Sequence, residues 1–153
     1  MAANLQDRQA KLLARALKVA EERLGMYADA PLLQKPEDVR DYLKLWAAQR
    51  DAEAFGAVWL TTQHAVIGVD TLFTGTIDGA SVYPRIVVKA ALAHNAAAVI
   101  LFHNHPSGCP DPSNADRVLT QKLKEALALV DVRVLDHMIV GSTIASLAEL
   151  GYL

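Results

Sequence analysis

The chain has 153 residues, 52% hydrophobic and 21% charged, with a formal net charge of −2; this is enough for one domain with a real core, in an ordinary globular mix. The near-neutral balance argues against a general nucleic-acid binder, which would carry a basic excess. The single cysteine, Cys109, excludes an internal disulfide, and the longest apolar run, residues 96–102, is too short to span a bilayer. With no signal-peptide apolar core at the start, these features predict a cytoplasmic protein without a membrane segment.

Residues 4–24 read as an amphipathic helix with Leu5, Leu12, Ala16, Leu17, Ala20 and Leu24 on one face and a stop at Gly25. Arg8, Lys11, Arg15 and Lys18 form a stripe on another face, read first as solvated and second as a contact for an acidic partner or a phosphate backbone. Residues 29–35 read as a linker. Pro36, Glu37 and Asp38 open a second helix, with proline in the first turn and acids at the positive end of the dipole. Val39, Tyr42, Leu43 and Trp46 give it a face to bury.

The character then changes. Residues 55–61 and 65–73, rich in β-branched and aromatic side chains, read as a hairpin. A loop with Gly75 and Gly79 follows, then a helix opened by Pro84. Residues 97–102 read as a short buried strand running into His103-Asn104-His105-Pro106. Three prolines and a glycine within residues 106–112 make a loop, and Ser113 opens a helix carrying Leu119, Leu123, Leu127 and Val130. Residues 132–140 read as a further strand ended by Gly141, and residues 143–147 as a last short one. The predicted fold class is α/β: a mixed sheet flanked by helices, in the order two helices and then β-β-α-β-α-β-β. Residues 1–50 form an N-terminal helical extension and residues 51–153 the functional domain.

His103 and His105 are i and i+2, which at a strand end puts both imidazoles on one face. Asp116 sits in the first turn of the helix after the loop, within reach of that pair. Two imidazoles and a carboxylate, with a fourth position left for water, make a hydrolytic zinc site. Taken alone, Asp116 could be only the acidic partner of Ser113 in a capping box. Hydrolysis also needs a base, and the best candidate is Glu53, which opens a strand at the sheet edge; the alternative is an exposed hairpin glutamate. Cys109 is read as a spectator or as a fourth ligand closing the site. His137, beside Asp136, is read either as a support for the metal ligands or as a core histidine paired with Asp136. His64 and His94 read as turn and surface residues.

The pattern of Glu53, His103, His105, Pro106, Ser113 and Asp116 resembles the JAMM (MPN-plus) metallopeptidase domain. Phe73-Thr74-Gly75-Thr76, Pro84-Arg85, His103 to Gly108, Pro112-Ser113 and Asp136-His137 resemble its bacterial RadC-like branch. The resemblance covers about two thirds of the chain. It implies the cytidine-deaminase-like fold and Zn²⁺ held by His103, His105 and Asp116. It further implies Glu53 as the proton carrier, Ser113 as a hydrogen-bond donor to the oxyanion, and a peptide or protein substrate cleaved at a peptide or isopeptide bond. The alternatives are a non-catalytic zinc-binding interaction module and a DNA-repair-associated factor. The complete residue set disfavours the first, and the net charge and the lack of an evident helix-hairpin-helix the second.

Overall fold

In a computed structural model that describes residues 2–23, 36–76 and 81–153, five strands form one mixed sheet, ordered β2-β1-β3-β4-β5. The elements in chain order are α1 (Ala2–Arg23), α2 (Pro36–Ala48), β1 (Ala54–Leu60), β2 (Val66–Thr74), α3 (Pro84–Ala93), β3 (Ala98–Asn104), α4 (Asn114–Ala128), β4 (Arg133–Val140) and β5 (Ile144–Ser146). This is the expected order and fold class. The expected stop at Gly25 and linker 29–35, and Gly79 in the glycine loop, lie outside the described residues.

The sheet is buried on both faces, so β1 and β3 are apolar at consecutive positions instead of alternating. Odd and even residues of β3 serve different cores. Ala98, Ile100 and Phe102 pack with Val39, Tyr42, Leu43 and Trp46 of α2, and the Trp46 ring meets Phe102 edge-on at 4.8 Å. Val99 and Leu101 pack with Val87 and Ala91 of α3 and Leu119, Leu123 and Leu127 of α4. The parity of β3 therefore decides what its last residues face: His103 continues the row toward α4, and Asn104 the row toward α2.

Helix α1 corrects one expectation. Leu17 and Ala20 pack against the α2 core, but Leu5 and Leu12 are exposed. At 22 residues α1 is about 33 Å long, whereas the 13 residues of α2 span about 20 Å. The amphipathic pattern continues, among the described residues, beyond the neighbour that covers it. Among the described residues, no helix is long and apolar enough to cross a membrane.

His94 also departs from its sequence reading. It caps α3, bonds Asp70 of β2 at 2.7 Å and stacks on Trp59 with ring centroids 5.7 Å apart. Gly68 makes this possible, since a Cβ there would stand 2.9 Å from the imidazole. His64 is a turn residue, as expected, with φ 63°.

Candidate metal centre

The site is assembled by strand register. β1 runs antiparallel to β3 and pairs Phe55 with His103, so the entry of β1 lies beside the exit of β3. Residues fifty apart in sequence are thereby neighbours. Asn104, buried on the opposite face from His103, locks the junction: its Oδ1 accepts from the Ala54 backbone N–H at 2.7 Å and its Nδ2 donates to the Ala52 carbonyl at 3.1 Å. Glu53 lies between these two anchored residues. Its carboxylate and one ring nitrogen each of His103 and His105 lie within 4.8 Å of one another, a group that could hold a metal ion.

Helix α4 delivers Asp116. Ser113 is its N-cap, accepting at Oγ from the Asp116 backbone N–H at 3.0 Å. Asp116 Oδ2 in turn accepts from the backbone N–H and the hydroxyl of Ser113, both at 2.7 Å. The capping box weighed as an alternative is thus present, and it coexists with reach toward the histidines. Asp116 Oδ1 stands 3.2 Å from His103 Nε2, and Oδ2 stands 3.6 Å from His105 Nε2. Burial works against the Asp116 charge, but hydrogen bonding and charge from His103, with the hydrogen bonds from Ser113, override it and hold the carboxyl well below the usual carboxylate range. The Ser113 hydroxyl is committed to Asp116 in this arrangement, so donating to an oxyanion would require it to rotate.

The two histidines turn their Nε2 atoms toward each other at 2.9 Å. His105 bonds the Cys109 carbonyl through Nδ1 at 2.8 Å, so it is the backbone of Cys109 that touches the site residues. The thiol is exposed and points to Asp111 at 3.7 Å. His103 reaches through Nδ1 to His137 Nε2 at 2.8 Å, and His137 Nδ1 reaches Thr120 Oγ1 at 2.6 Å. The His137 ring is therefore tied to His103 and not to Asp136, whose carboxylate takes the backbone N–H groups of His137 and Ala148 and the Ser146 hydroxyl. Complete burial, with His103 beside it, pushes the His137 ring well below its usual pKa and keeps it neutral.

Sequence reasoning passed over Thr120 and Asn104. Thr120 is a polar residue inside the buried stripe of α4, one turn after Asp116, and that misplaced polarity was its signal. Asn104 lies inside the motif, but its spacing alone points to no role.

The donor set fits a divalent cation. Two nitrogens on one tetrahedral zinc ion with bonds of ~2.0–2.1 Å stand roughly 3.3 Å apart. The Nε2–Nε2 separation of 2.9 Å and the Nε2–Oδ1 separation of 3.2 Å are close to that spacing. Two imidazole nitrogens and a carboxylate turned toward one point are a donor set that a divalent cation between them satisfies.

Two clefts adjoin the centre: one of about 400 Å³ lined by Lys44, Arg50, Asn104, His105 and Ser142, and one of about 280 Å³ lined by Arg50, Glu53 and Thr74. A larger cleft of about 720 Å³ lies at the far end of β4, around Lys124, Asp131 and Arg133, without a histidine.

The sheet order, the helices on both faces and the His-x-His strand end facing a helical aspartate define an α/β domain of the JAB/MPN class. The chain belongs to the RadC-like JAB domain family, which it matches over residues 33–152. That match takes in α2 as well as the sheet. The chain is 60% identical over 124 residues to a UPF0758 protein of Azotobacter vinelandii, covering 80% of this chain and 55% of that protein. It is 61% identical over 122 residues to a UPF0758 protein of Stutzerimonas stutzeri, covering 79% of this chain and 54% of that one. A UPF0758 protein of Methylibium petroleiphilum is 52% identical over 143 residues, or 92% of this chain and 64% of the relative. The chain thus spans a little over half the length of the first two relatives.

Proposed function

We propose that this domain is a zinc-dependent hydrolase that cleaves a peptide or isopeptide bond in a peptide or protein substrate in the cytoplasm. The observation that carries the reading is the convergence of the Glu53 carboxylate with the His103 and His105 ring nitrogens, with Asp116 Oδ1 a further 3.2 Å from His103. His103, His105 and Asp116 would hold the ion, leaving a position for water. Bound there, zinc would supply Lewis acidity and would lower the pKa of a coordinated water from ~15.7 to ~7. Glu53 would take the proton released as water attacks the amide carbonyl, and would pass it to the departing amine. Such positioned proton transfer contributes about 10²–10⁴-fold. Asn104 keeps the Glu53 segment in register, and Ser113 keeps Asp116 aimed. The two clefts that meet at Arg50 give an extended substrate a path past Glu53 and His105.

The test is metal analysis joined to a cleavage assay. Purified protein is expected to carry about one zinc per chain, and His103→Ala to carry none. Glu53→Ala is expected to keep zinc and fold while losing hydrolysis of peptide and isopeptide-linked model substrates. Zinc absent from the wild type ends the reading. Zinc bound stoichiometrically, with no cleavage of any such substrate, turns it toward the non-catalytic module. Equal rates in wild type and Glu53→Ala remove Glu53 from its role.

A further inference from the structure

We infer that Thr120 and His137 are positioning residues that fix which nitrogen of His103 is available to a metal ion, and so set the affinity of the centre. This rests on the metal-binding reading above and adds two residues to it that do not touch the ion.

The hydrogen positions follow from what each partner is able to do. The Asp116 carbonyl oxygen can only accept, and it lies 2.6 Å from Thr120 Oγ1, so the single hydroxyl hydrogen of Thr120 is committed to it. Thr120 Oγ1 must then accept from His137, whose Nδ1 is 2.6 Å away. The His137 ring is fully buried and neither of its nitrogens meets a carboxylate, so with its hydrogen on Nδ1 it offers a lone pair at Nε2. That lone pair meets His103 Nδ1 at 2.8 Å, which must therefore carry a hydrogen of its own. Nε2, the atom that faces His105 and Asp116, is then the one nitrogen of His103 left to offer its lone pair to a metal ion. A neutral imidazole can carry its hydrogen on either nitrogen, and the bond made by the far nitrogen decides which. Here that decision is passed along three side chains from a backbone carbonyl.

The relay is dry and rigid. His103 and His137 are 0% exposed and Thr120 is 1% exposed, so water does not compete for any of its bonds. The Phe55 ring stacks against His103 and meets His137 edge-on, holding both ring planes. Asp116 stands at both ends, supplying the carbonyl that starts the relay and the carboxylate that faces its last atom. A threonine bonding the carbonyl one turn back is common in helices and by itself means little. The structural role alone would not need His137 Nδ1 on the same oxygen.

Long-range ¹⁵N–¹H spectra of the imidazoles, in zinc-loaded and metal-free protein, read the tautomers directly. Hydrogen on Nδ1 of both His137 and His103, with His137 Nε2 bare, is expected in both forms. Hydrogen on His137 Nε2 overturns the inference. Zinc affinity by chelator competition gives the second arm. Thr120→Val, of the same shape, is expected to bind zinc about 10–100-fold more weakly, the usual cost of losing an outer partner of a ligand histidine. Thr120→Ser, which keeps the hydroxyl, is expected to restore it. Unchanged zinc affinity and unchanged tautomers in a folded Thr120→Val protein would overturn the relay while leaving the metal site standing. If the wild type binds no zinc, the functional reading fails, and the metal-free spectra still decide the tautomers. If Thr120→Val does not fold, the wild-type spectra and Thr120→Ser carry the decision.

Discussion

Gly141 lies outside the metal-ligand set, yet replacing it should damage the site. A Cβ built on Gly141 would stand 2.5 Å from the Gly108 carbonyl oxygen, 2.8 Å from Pro110 N and 2.9 Å from Gly108 C. All three are backbone atoms of the loop between His105 and Asp116, so no side chain can swing aside. The loop is fastened at this spot by the Ser142 N–H donating to the Gly108 carbonyl at 2.7 Å, and the Cys109 carbonyl that orients His105 is the next residue along. Gly141→Ala must push the loop outward. Overpacking costs about 1–3 kcal/mol, and the lost backbone bond about 0.5–1.5 kcal/mol more. At about 2–4 °C per kcal/mol for a chain of this size, a total of about 1.5–4.5 kcal/mol lowers the melting temperature by roughly 3–18 °C. Moving the Cys109 carbonyl also frees His105 to turn, so zinc affinity should fall about 10–100-fold. Thermal melts of the metal-free protein and chelator competition measure the two effects separately. Ser142→Ala is the control: it keeps the backbone N–H and should stay within about 0.5 kcal/mol of wild type. An unchanged melting temperature and zinc affinity in Gly141→Ala would show that the loop is not held against β4, and the account of His105 orientation would fall with it.

Three further outcomes follow from the same geometry. Cys109→Ser should keep full zinc stoichiometry and affinity, because only the backbone of Cys109 meets His105; a large loss of affinity would make the thiol a ligand after all. Asn104→Ala leaves the Ala54 N–H buried without its acceptor and should cost about 1–3 kcal/mol. It should slow cleavage more than it weakens zinc, since it loosens the Glu53 segment, and the opposite order would count against that link. Metal-free protein should lose stability as pH falls. Unfolded His137 takes up a proton near pH ~6.5, and the buried ring, its pKa depressed by desolvation, does not. The unfolded state then binds more protons, so stability drops below about pH 6.5 by up to ~1.4 kcal/mol per pH unit for this group. The depressed Asp116 carboxyl acts in the same direction, contributing above its unfolded value of ~3.9 and losing that contribution as the pH falls further. Denaturant midpoints that stay level from pH 7.5 to 5.5 would contradict the burial of a neutral His137.

What the sequence disclosed about the site was local. His103, Asn104 and His105 run off the end of an apolar strand, and Asp116 follows a serine at a helix start, so short-range rules placed all four on the right kinds of element. Glu53 was harder, because only a long-range antiparallel pairing, Phe55 against His103, brings it near. Nothing in a single sequence states which strands pair. The errors share a cause. Leu5 and Leu12 have the right spacing for burial but, among the described residues, no neighbour long enough to cover them. His94 looked like a surface residue because the space for its ring is made by Gly68, on a strand separated from it in sequence.

His137 shows the same limit from the other side. Val134 on β4, and Val132 just before it, pack into the α3/α4 core. Strict alternation would send Asp136 and Met138 there too and turn His137 toward α2. Instead the register against β3 shifts: Val99 pairs with Val134, but Ile100 pairs with Asp136. One extra residue is accommodated in β4, and the parity reverses after it. Leu135, Met138 and Val140 now pack on the α2 side, and His137 turns to α4, where Thr120 and His103 wait. The pattern Val-Arg-Val-Leu-Asp-His-Met contains that reversal only as two adjacent residues, Leu135 and Asp136, that break the alternation. A bulge next to a functional site re-aims a side chain, and here the side chain it re-aims is the one bonded to His103. The outer half of the centre thus depends on an irregularity of the sheet, while the inner half depends on its regular pairing.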